Sequence, residues 1–204
     1  MALIRCLRNK VEERISEALH IYPNATGAYK PIDYTNDYIS IDYNKDWQIA
    51  VRAMLTNFNN KNWVIVGTYS NEQYYKNPTI EINKDTASAY YAISGNGTTW
   101  TDGASAYPTE NFALNTWYDF FLVYNKTSKV LSFVVKKVSD GSAIVNSTKT
   151  VESSSIFQPD FSTTPLCFFN NAASSYFSDV SYVRFDPAYS FIENDGTVIW
   201  GNKY

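Results

Sequence analysis

Cysteine and histidine are scarce in this chain, whose 204 residues include two cysteines and a single histidine. Cys6 and Cys167 are far apart and do not form the dense disulfide framework of a small secreted domain, so we expect free thiols. His20 alone would have to serve any Ser-His-Asp or Cys-His pair, and no two-His or Cys-x-x-Cys spacing is present to hold a metal. The sequence therefore predicts neither a catalytic triad nor a zinc site.

Clusters of one charge and long apolar runs are also missing. Charged residues make up 18% of the chain and the net charge is -3, without any block of Lys and Arg. Phosphate-backbone binding needs such blocks, so we expect no nucleic acid partner. The apolar stretch at the start of the chain is too short for a membrane span or a signal-peptide core. We therefore expect no membrane association and no export signal.

The first 27 residues have a helical pattern. Apolar residues recur at steps of three and four, with charged residues between them: Ile4, Leu7, Val11, Ile15 and Leu19. This spacing predicts a helix with one narrow apolar stripe, which Pro23 and Gly27 terminate. A helix of about four turns is marginal alone, so the stripe must pack on something. Two alternatives are equally open: it packs on its own domain, or it is a self-association or anchoring peptide.

After Gly27 the period changes from helical to two, which predicts antiparallel strands. Ile49, Val51 and Ala53, for example, alternate with Ala50, Arg52 and Met54. Turn residues separate the predicted strands at intervals of about ten residues, which is typical of a β-sandwich or jelly roll. The strands are predicted at 38–43, 49–56, 63–69, 79–83, 87–94, 117–124, 130–138, 143–150, 166–169, 177–185 and 197–200. Residues 95–115 form the longest predicted loop, and the domain is expected to span 28–204.

Three blocks, in this order, resemble laminin G-like domains of the concanavalin A-like superfamily. They are YISIDYNKDWQIAVRAMLTNFNNKNWVIVGTYS, NTWYDFFLVYNKTSKVLSFVVKKVSDGSAI and FSDVSYVRFDPAYSF. They look like the opening strands, the central hairpin and the closing strand of such a domain. The resemblance implies an all-β antiparallel sandwich, a jelly roll of two curved sheets, behind the short helical arm. It implies no single function, because the fold hosts lectins, glycosidases, adhesion modules and virion proteins.

The chemistry of that superfamily is only partly represented. Its glycosidases carry paired carboxylates on one strand, as in Glu-x-Asp-x-x-Glu, whereas Glu81 lies alone in TIEIN. We therefore expect no enzymatic activity and no cofactor. Many laminin G-like domains bind calcium at the rim, and Asp85, Asn96 and Asp102 are the candidate ligands here. Calcium is not indicated, however, because oxygen ligands leave no regular spacing outside the EF-hand.

Aromatic residues make up 17% of the chain, and some of them lie among polar residues. Flat aromatic rings stack on sugars, and neighbouring amides and carboxylates orient the hydroxyl groups. The same rings also suit protein interfaces. One of the adjacent Tyr90 and Tyr91 is expected to face the core. The predicted ligand-binding residues are Tyr74, Tyr75, Asn96, Trp100, Asp102 and Tyr107.

These features favour a non-catalytic structural protein of a bacteriophage virion, with a lectin-like head joined to other virion proteins through its arm. The expected assembly is a homo-oligomer, with a trimer favoured, that forms in the host cytoplasm and binds glycan. The alternative is a carbohydrate-binding or adhesion module at a bacterial cell surface. A degenerate glycoside hydrolase is the weakest of the three hypotheses.

Overall fold

The structure, a computed structural model, describes residues 19–21, 42–55, 63–68, 78–83, 87–159, 166–168 and 178–185. Every regular element in these ranges is a β-strand. The strands are β1 (Leu19–Ile21), β2 (Trp47–Leu55), β3 (Trp63–Thr68), β4 (Thr79–Ile82), β5 (Ala89–Ile93), β6 (Asp102–Ala106), β7 (Trp117–Asn125), β8 (Val130–Lys137), β9 (Ala143–Thr150), β10 (Leu166–Phe168) and β11 (Ser178–Phe185).

The strands form two antiparallel sheets. The six-stranded sheet has the order β1-β11-β2-β7-β8-β9, and the five-stranded sheet has the order β10-β3-β4-β5-β6. All nine strand pairs are antiparallel. The predicted all-β sandwich of two antiparallel sheets is therefore confirmed.

The core between the sheets follows from the alternation of side chains along each strand. In β7, Phe120 and Leu122 belong to the buried cluster, and in β8 Phe133 does. The Phe133 ring stacks on Tyr91 of the opposite sheet, with centroids 4.9 Å apart. Burying a side chain of this size contributes about 1.5–3 kcal/mol, so these strands hold the sandwich together.

Tyr90 and Tyr91 behave as their adjacency predicts. Tyr91 is fully buried, and its hydroxyl shares a 2.9 Å hydrogen bond with Ser147 Oγ, whereas Tyr90 is half-buried. Burial raises the pKa of Tyr91, and the hydrogen bond with Ser147 opposes that effect. Neutral Tyr91 thus links the core to β9.

Three details of the sequence prediction were wrong. Leu19 and His20 were assigned to the arm helix, but they lie in β1, which pairs with β11. Leu19 and Ile21 flank a polar residue, an alternation that an edge strand accommodates as well as a helix does. Tyr43, predicted in a strand, lies in a turn that ends before β2. Part of the predicted loop 95–115 is the strand β6.

The rest of the predicted arm, including Ile4, Leu7, Val11 and Ile15, lies outside the described residues, as does the predicted strand 197–200. The division into an arm of 1–27 and a domain of 28–204 stays a prediction. Within the described ranges, no helix is long and apolar enough to cross a membrane.

Candidate functional site

A segment that follows β9, residues 151–158, runs across one end of the sandwich, and we call it the strap. Its backbone is tied to both sheets. Val151 N donates to Lys129 O at 2.8 Å in the turn between β7 and β8, and Phe157 N donates to Ser94 O at 2.8 Å just after β5. The strap therefore joins the six-stranded sheet to the five-stranded sheet at this rim.

Asn44, in the turn before β2, holds the same strap from another side. Its Nδ2 donates to Ile156 O at 2.9 Å, and its Oδ1 accepts from Ile156 N at 3.0 Å. Tyr43 N donates to Gln158 Oε1 at 2.9 Å. These bonds connect positions more than a hundred residues apart, and they restrain the strap along most of its length.

Asp102, the first residue of β6, anchors the strap from the five-stranded sheet. Its Oδ1 accepts from Glu152 N at 2.6 Å, and its Oδ2 accepts from Ser153 Oγ at 2.5 Å and from Thr101 Oγ1 at 2.9 Å. Burial raises the pKa of Asp102, but the hydrogen bonds from Ser153, Glu152 and Thr101 outweigh it and lower the pKa below its usual value. The ionised carboxylate is thus fully buried and used within the chain.

The loop between β5 and β6 is shaped by Asn96. Asn96 Oδ1 accepts from Thr98 N at 2.9 Å and from Thr99 N at 3.0 Å, which is the pattern of an Asx turn. Ser94 Oγ accepts from Gly97 N at 2.8 Å. Gly97 has a φ of 72°, and a Cβ there would lie 2.8 Å from the ring of Phe157. The close approach of this loop to the strap therefore requires glycine.

Together the loop 94–101 and the strap residues 152–155 form a surface that we call the rim platform. Half-buried Trp100 lies in it among exposed hydroxyl, amide and carboxylate groups: Asn96, Thr98, Thr99, Thr101, Glu152, Ser154 and Ser155. Asn96 Nδ2 donates to Thr99 Oγ1 at 3.2 Å, and Thr101 Oγ1 bonds Gly95 N at 2.8 Å. These contacts hold the side chains of Asn96, Thr99 and Thr101 in place before any ligand arrives.

The predicted site residues do not form one cluster. Trp100 precedes β6 and Tyr107 follows it, so Thr101 and the five residues of that strand separate them. At about 3.3 Å per residue, the strand alone spans about 17 Å. Tyr107 is 77% exposed. Of the predicted set, Asn96, Trp100 and Asp102 lie together, Tyr107 lies at the other end of β6, and Tyr74 and Tyr75 lie outside the described residues.

Sequence reasoning missed Thr98, Thr99 and the strap residues 152–155. The run Glu152-Ser-Ser-Ser after β9 was visible as a polar segment. Nothing local could connect it to Trp100, because the two are joined only where the edges of the two sheets meet. Asp102 is buried because it begins the strand β6, whereas the sequence predicts a loop at this position.

Metal ligands are not grouped in the described ranges, which contain no cluster of three His, Cys, Asp or Glu side chains. Of the candidate calcium ligands, Asn96 Oδ1 and both oxygens of Asp102 accept hydrogen bonds from within the chain. Asp85 lies outside the described residues. The side-chain oxygens of Asn96 thus stabilise the loop, and those of Asp102 stabilise the strap.

No protein family matches the sequence, and no curated protein matches it. Among solved structures, the chain is similar to the binding domain of botulinum neurotoxin serotype D, with 9% identity, 88% of this chain and 45% of that chain covered, and a TM-score of 0.55. It is also similar to a botulinum neurotoxin type C structure, with 12% identity, 75% and 35% covered, and a TM-score of 0.50. This chain therefore spans less than half the length of either toxin chain.

A legume-type neighbour is lectin I of Ulex europaeus, in complex with the methyl glycoside of α-L-fucose. The identity is 10%, 82% of this chain and 85% of the lectin are covered, and the TM-score of 0.47 is too low to support a further comparison. This chain and the two toxin chains share a fold, but their sequence identities are too low to carry information on activity. The chain is thus a two-sheet antiparallel sandwich that shares its fold with part of these toxin chains.

Proposed function

We propose that this chain is a non-catalytic carbohydrate-binding module and that the rim platform is its ligand surface. The observation that carries the proposal is the half-buried indole of Trp100 among exposed amide and hydroxyl groups, those of Asn96, Thr99 and Thr101, that the chain already holds in place. An indole ring offers a flat apolar face to a sugar ring. Polar side chains that are already fixed can orient the sugar hydroxyls with little further loss of their own conformational entropy.

The structural neighbours are consistent with this proposal. Botulinum neurotoxin type C depends for its cell entry on interaction with two ganglioside molecules, which are glycolipids. This chain matches 35% of that toxin chain, so a protein that shares the fold over part of its length interacts with glycolipids. The identities are low, so the location of the surface in this chain rests on its own residues.

A glycan array probed with the full chain, followed by calorimetric titration of the strongest glycan, tests the proposal. Thr98 is exposed, and only its backbone N is bonded within the loop, so Thr98→Arg should block the platform without unfolding it. We expect Thr98→Arg and Trp100→Ala each to weaken binding by at least about tenfold, which is about 1.4 kcal/mol.

Tyr107→Ala is the matched control, because Tyr107 is an exposed aromatic residue at the opposite end of β6. Its affinity should equal that of the unmodified chain, and all three variants should keep their melting temperatures within a few degrees. Binding that is lost in Tyr107→Ala and retained in Thr98→Arg would move the site to the other rim. A chain that binds no glycan, or that hydrolyses the bound one, would overturn the function itself.

More specifically, we propose that the chain has a structural role in a bacteriophage virion. The alternative is a module at a bacterial cell surface. The support is the combination of a lectin-like sandwich with the amphipathic pattern of residues 1–27. A gene flanked by capsid and tail genes is the expected context. A gene placed among cell-wall or transport genes would favour the alternative. Tethering through the arm is one of the two alternatives for its apolar stripe, and packing on its own domain is the other.

A further inference from the structure

The buried carboxylate of Asp102 sets the direction of hydrogen bonds within the rim platform. An ionised carboxylate can only accept hydrogen bonds, and a hydroxyl has a single proton to donate. Thr101 Oγ1 lies 2.9 Å and Ser153 Oγ lies 2.5 Å from Asp102 Oδ2, and the two hydroxyl oxygens are 2.9 Å apart. Hydrogen bonds to a charged acceptor are about twice as strong as neutral ones. Both hydroxyl protons therefore stay within this group of three side chains.

Thr101 and Ser153 can consequently offer a ligand only an acceptor oxygen. Thr101 is exposed and Ser153 is half-buried, so neither residue is closed off from solvent. Thr101 Oγ1 also accepts from Gly95 N at 2.8 Å, which fixes the orientation of its hydroxyl group. A ligand group that meets these two hydroxyls must donate a proton to them.

The charge of Asp102 is not cancelled by a neighbouring cation. In the part of the chain that the structure describes, no Lys or Arg forms an ion pair with Asp102. Burial raises its pKa, and the groups that lower it are the hydrogen-bond donors Ser153, Glu152 and Thr101. Burial also raises the pKa of Tyr124 in β7, and the charges of Asp46 and Asp102 raise it further. The charge of Asp102 thus acts beyond its own strand, and the platform has a negative charge beneath it.

Glu152 adds a second negative charge, at the surface of the platform. It is exposed, and it is the only charged residue of the rim platform. Its backbone N donates to Asp102 Oδ1 at 2.6 Å, which fixes the point where the side chain leaves the strap. Its carboxylate accepts hydrogen bonds from a ligand and repels a ligand of like charge.

Asn96 supplies a fixed donor beside these acceptors. Its Nδ2 donates to Thr99 Oγ1 at 3.2 Å and has a second N–H. A sugar hydroxyl both donates and accepts, so it can satisfy this amide and a neighbouring acceptor together. A carboxylate or sulfate group only accepts, so it would match the amide and leave the acceptors unsatisfied, which costs free energy.

We propose that the rim platform selects sugars that are neutral or carry an amino group, and that it discriminates against acidic sugars, namely uronates and sialylated or sulfated glycans. A hydroxyl or ammonium group donates to the acceptors at Thr101, Ser153 and Glu152, whereas an acidic group has no proton to give and meets two negative charges. This inference rests on the proposed function, since it names the class of glycan for the same surface. Asp102 is a positioning residue here, because it acts through the two hydroxyls that it orients.

A glycan array tests the inference with the full chain when neutral oligosaccharides are printed beside their amino, uronate, sialylated and sulfated forms. We expect binding to neutral or amino forms, with each acidic form weaker than its neutral parent by at least about tenfold, which is about 1.4 kcal/mol. Acidic forms that bind as well as their neutral parents, or better, would overturn the selectivity and leave the carbohydrate-binding function in place. A chain that binds no glycan would overturn the proposed function and this inference with it.

Two variants separate the effect of charge from that of hydrogen-bond direction. Both are read by calorimetric titration as the ratio of the affinities for the strongest neutral glycan and its acidic form. Glu152→Gln removes the exposed charge and should lower this ratio by at least about threefold. In Asp102→Asn the amide donates to the hydroxyls of Thr101 and Ser153, which can then donate to a ligand, so the ratio should fall by at least about fivefold.

Asp140→Asn is the matched control. Asp140 is an exposed acid beyond the other end of β8 from Lys129 and the strap, and an Asn side chain can still accept from Ser142 N. The ratio should be unchanged in this variant, and melting temperatures show whether each variant is folded. A purely structural role of Asp102 would weaken neutral and acidic glycans alike, so an unchanged ratio in folded Asp102→Asn would overturn its positioning role. An unchanged ratio in Glu152→Gln would overturn the electrostatic selectivity, whether or not Asp102→Asn folds.

Discussion

The Ser153 hydroxyl donates a 2.5 Å hydrogen bond to Asp102 Oδ2 across 51 positions of sequence. Asp102 begins β6 at the edge of the five-stranded sheet, and Ser153 belongs to the strap that follows β9 at the edge of the other sheet. The carboxylate also accepts from Glu152 N. This acidic residue thus connects the two sheets at the rim and holds the platform that we propose binds sugar.

Replacement of Asp102 should destabilise the protein more when more of its hydrogen-bond donors are left without an acceptor. Asp102→Ala leaves Glu152 N without its acceptor and should lower the free energy of unfolding by about 2–3 kcal/mol. Asp102→Asn keeps one acceptor oxygen, and the hydroxyls of Thr101 and Ser153 can rotate to accept from its amide, so we expect a loss of about 1 kcal/mol. Urea denaturation at pH 7 measures both values.

The same carboxylate predicts the direction of a pH effect. Because the pKa of Asp102 is lowered in the folded state, its contribution is fully present above the unfolded value of about 3.9 and is lost as pH falls through the folded pKa. Asp102→Asn should therefore lose less stability than the unmodified chain when pH is lowered from 5 to 2. Glu152→Gln, at an exposed position, is the control. Parallel curves for the unmodified chain and Asp102→Asn would contradict the prediction.

Two glycines allow backbone strain to be separated from steric contact. Gly97 and Gly141 both have a φ of 72°, but a Cβ at Gly97 would lie 2.8 Å from the Phe157 ring, whereas nothing lies within 4 Å of one at Gly141. Gly141→Ala should cost about 1 kcal/mol for the left-handed backbone. Gly97→Ala should cost about 1–3 kcal/mol more, because it also overpacks the contact between the loop and the strap.

Thermal unfolding of both alanine variants gives the comparison, and Phe157→Leu provides a rescue. A smaller side chain at 157 should recover part of the loss in Gly97→Ala and do nothing for Gly141→Ala. Equal losses at the two glycines would show that the loop moves away from the strap at little cost, and the platform would then be less rigid than its hydrogen bonds indicate.

Arg52 and Asp119 form a two-bond ion pair on the outer face of the six-stranded sheet, where the Asp119 side chain is 6% exposed. Asp119→Ala removes two acceptors of the Arg52 guanidinium and should destabilise by about 3 kcal/mol. The double variant Arg52→Met with Asp119→Leu should recover most of that loss, since it leaves no buried charge. Chemical denaturation of the three variants measures the coupling.

The matched control for this pair is Lys45→Ala, which breaks an exposed ion pair with Asp42 at 3.3 Å and leaves the Asp42 carboxylate to accept from Asn44 N. Its stability should be nearly unchanged, because solvent and salt screen exposed charges. If Asp119→Ala were equally silent, water would screen this ion pair as it screens an exposed one, which would contradict the prediction.

Local pattern was sufficient for most strands and for the turns between them. The alternation of Ile49, Val51 and Ala53 predicted β2, and the adjacency of Tyr90 and Tyr91 predicted that one would be buried. Side chains alternate with a period of two in any strand, so this information lies within a few residues of each position. The prediction for Leu19 was wrong because β1 has only three residues, which are too few to show a period of two.

The amino-acid sequence by itself determined the class of fold, because the spacing of apolar residues decides which face of each strand is buried. Only the tertiary structure decided that Asp-Gly-Ala-Ser-Ala forms β6. These residues have little intrinsic preference for a strand, and pairing with β5 supplies their backbone hydrogen-bond partners. It also decided that Asp102 is internal and that Trp100 and Tyr107 lie at opposite ends of β6. These relationships depend on where the edges of two sheets meet, and residues about fifty positions apart become neighbours only there.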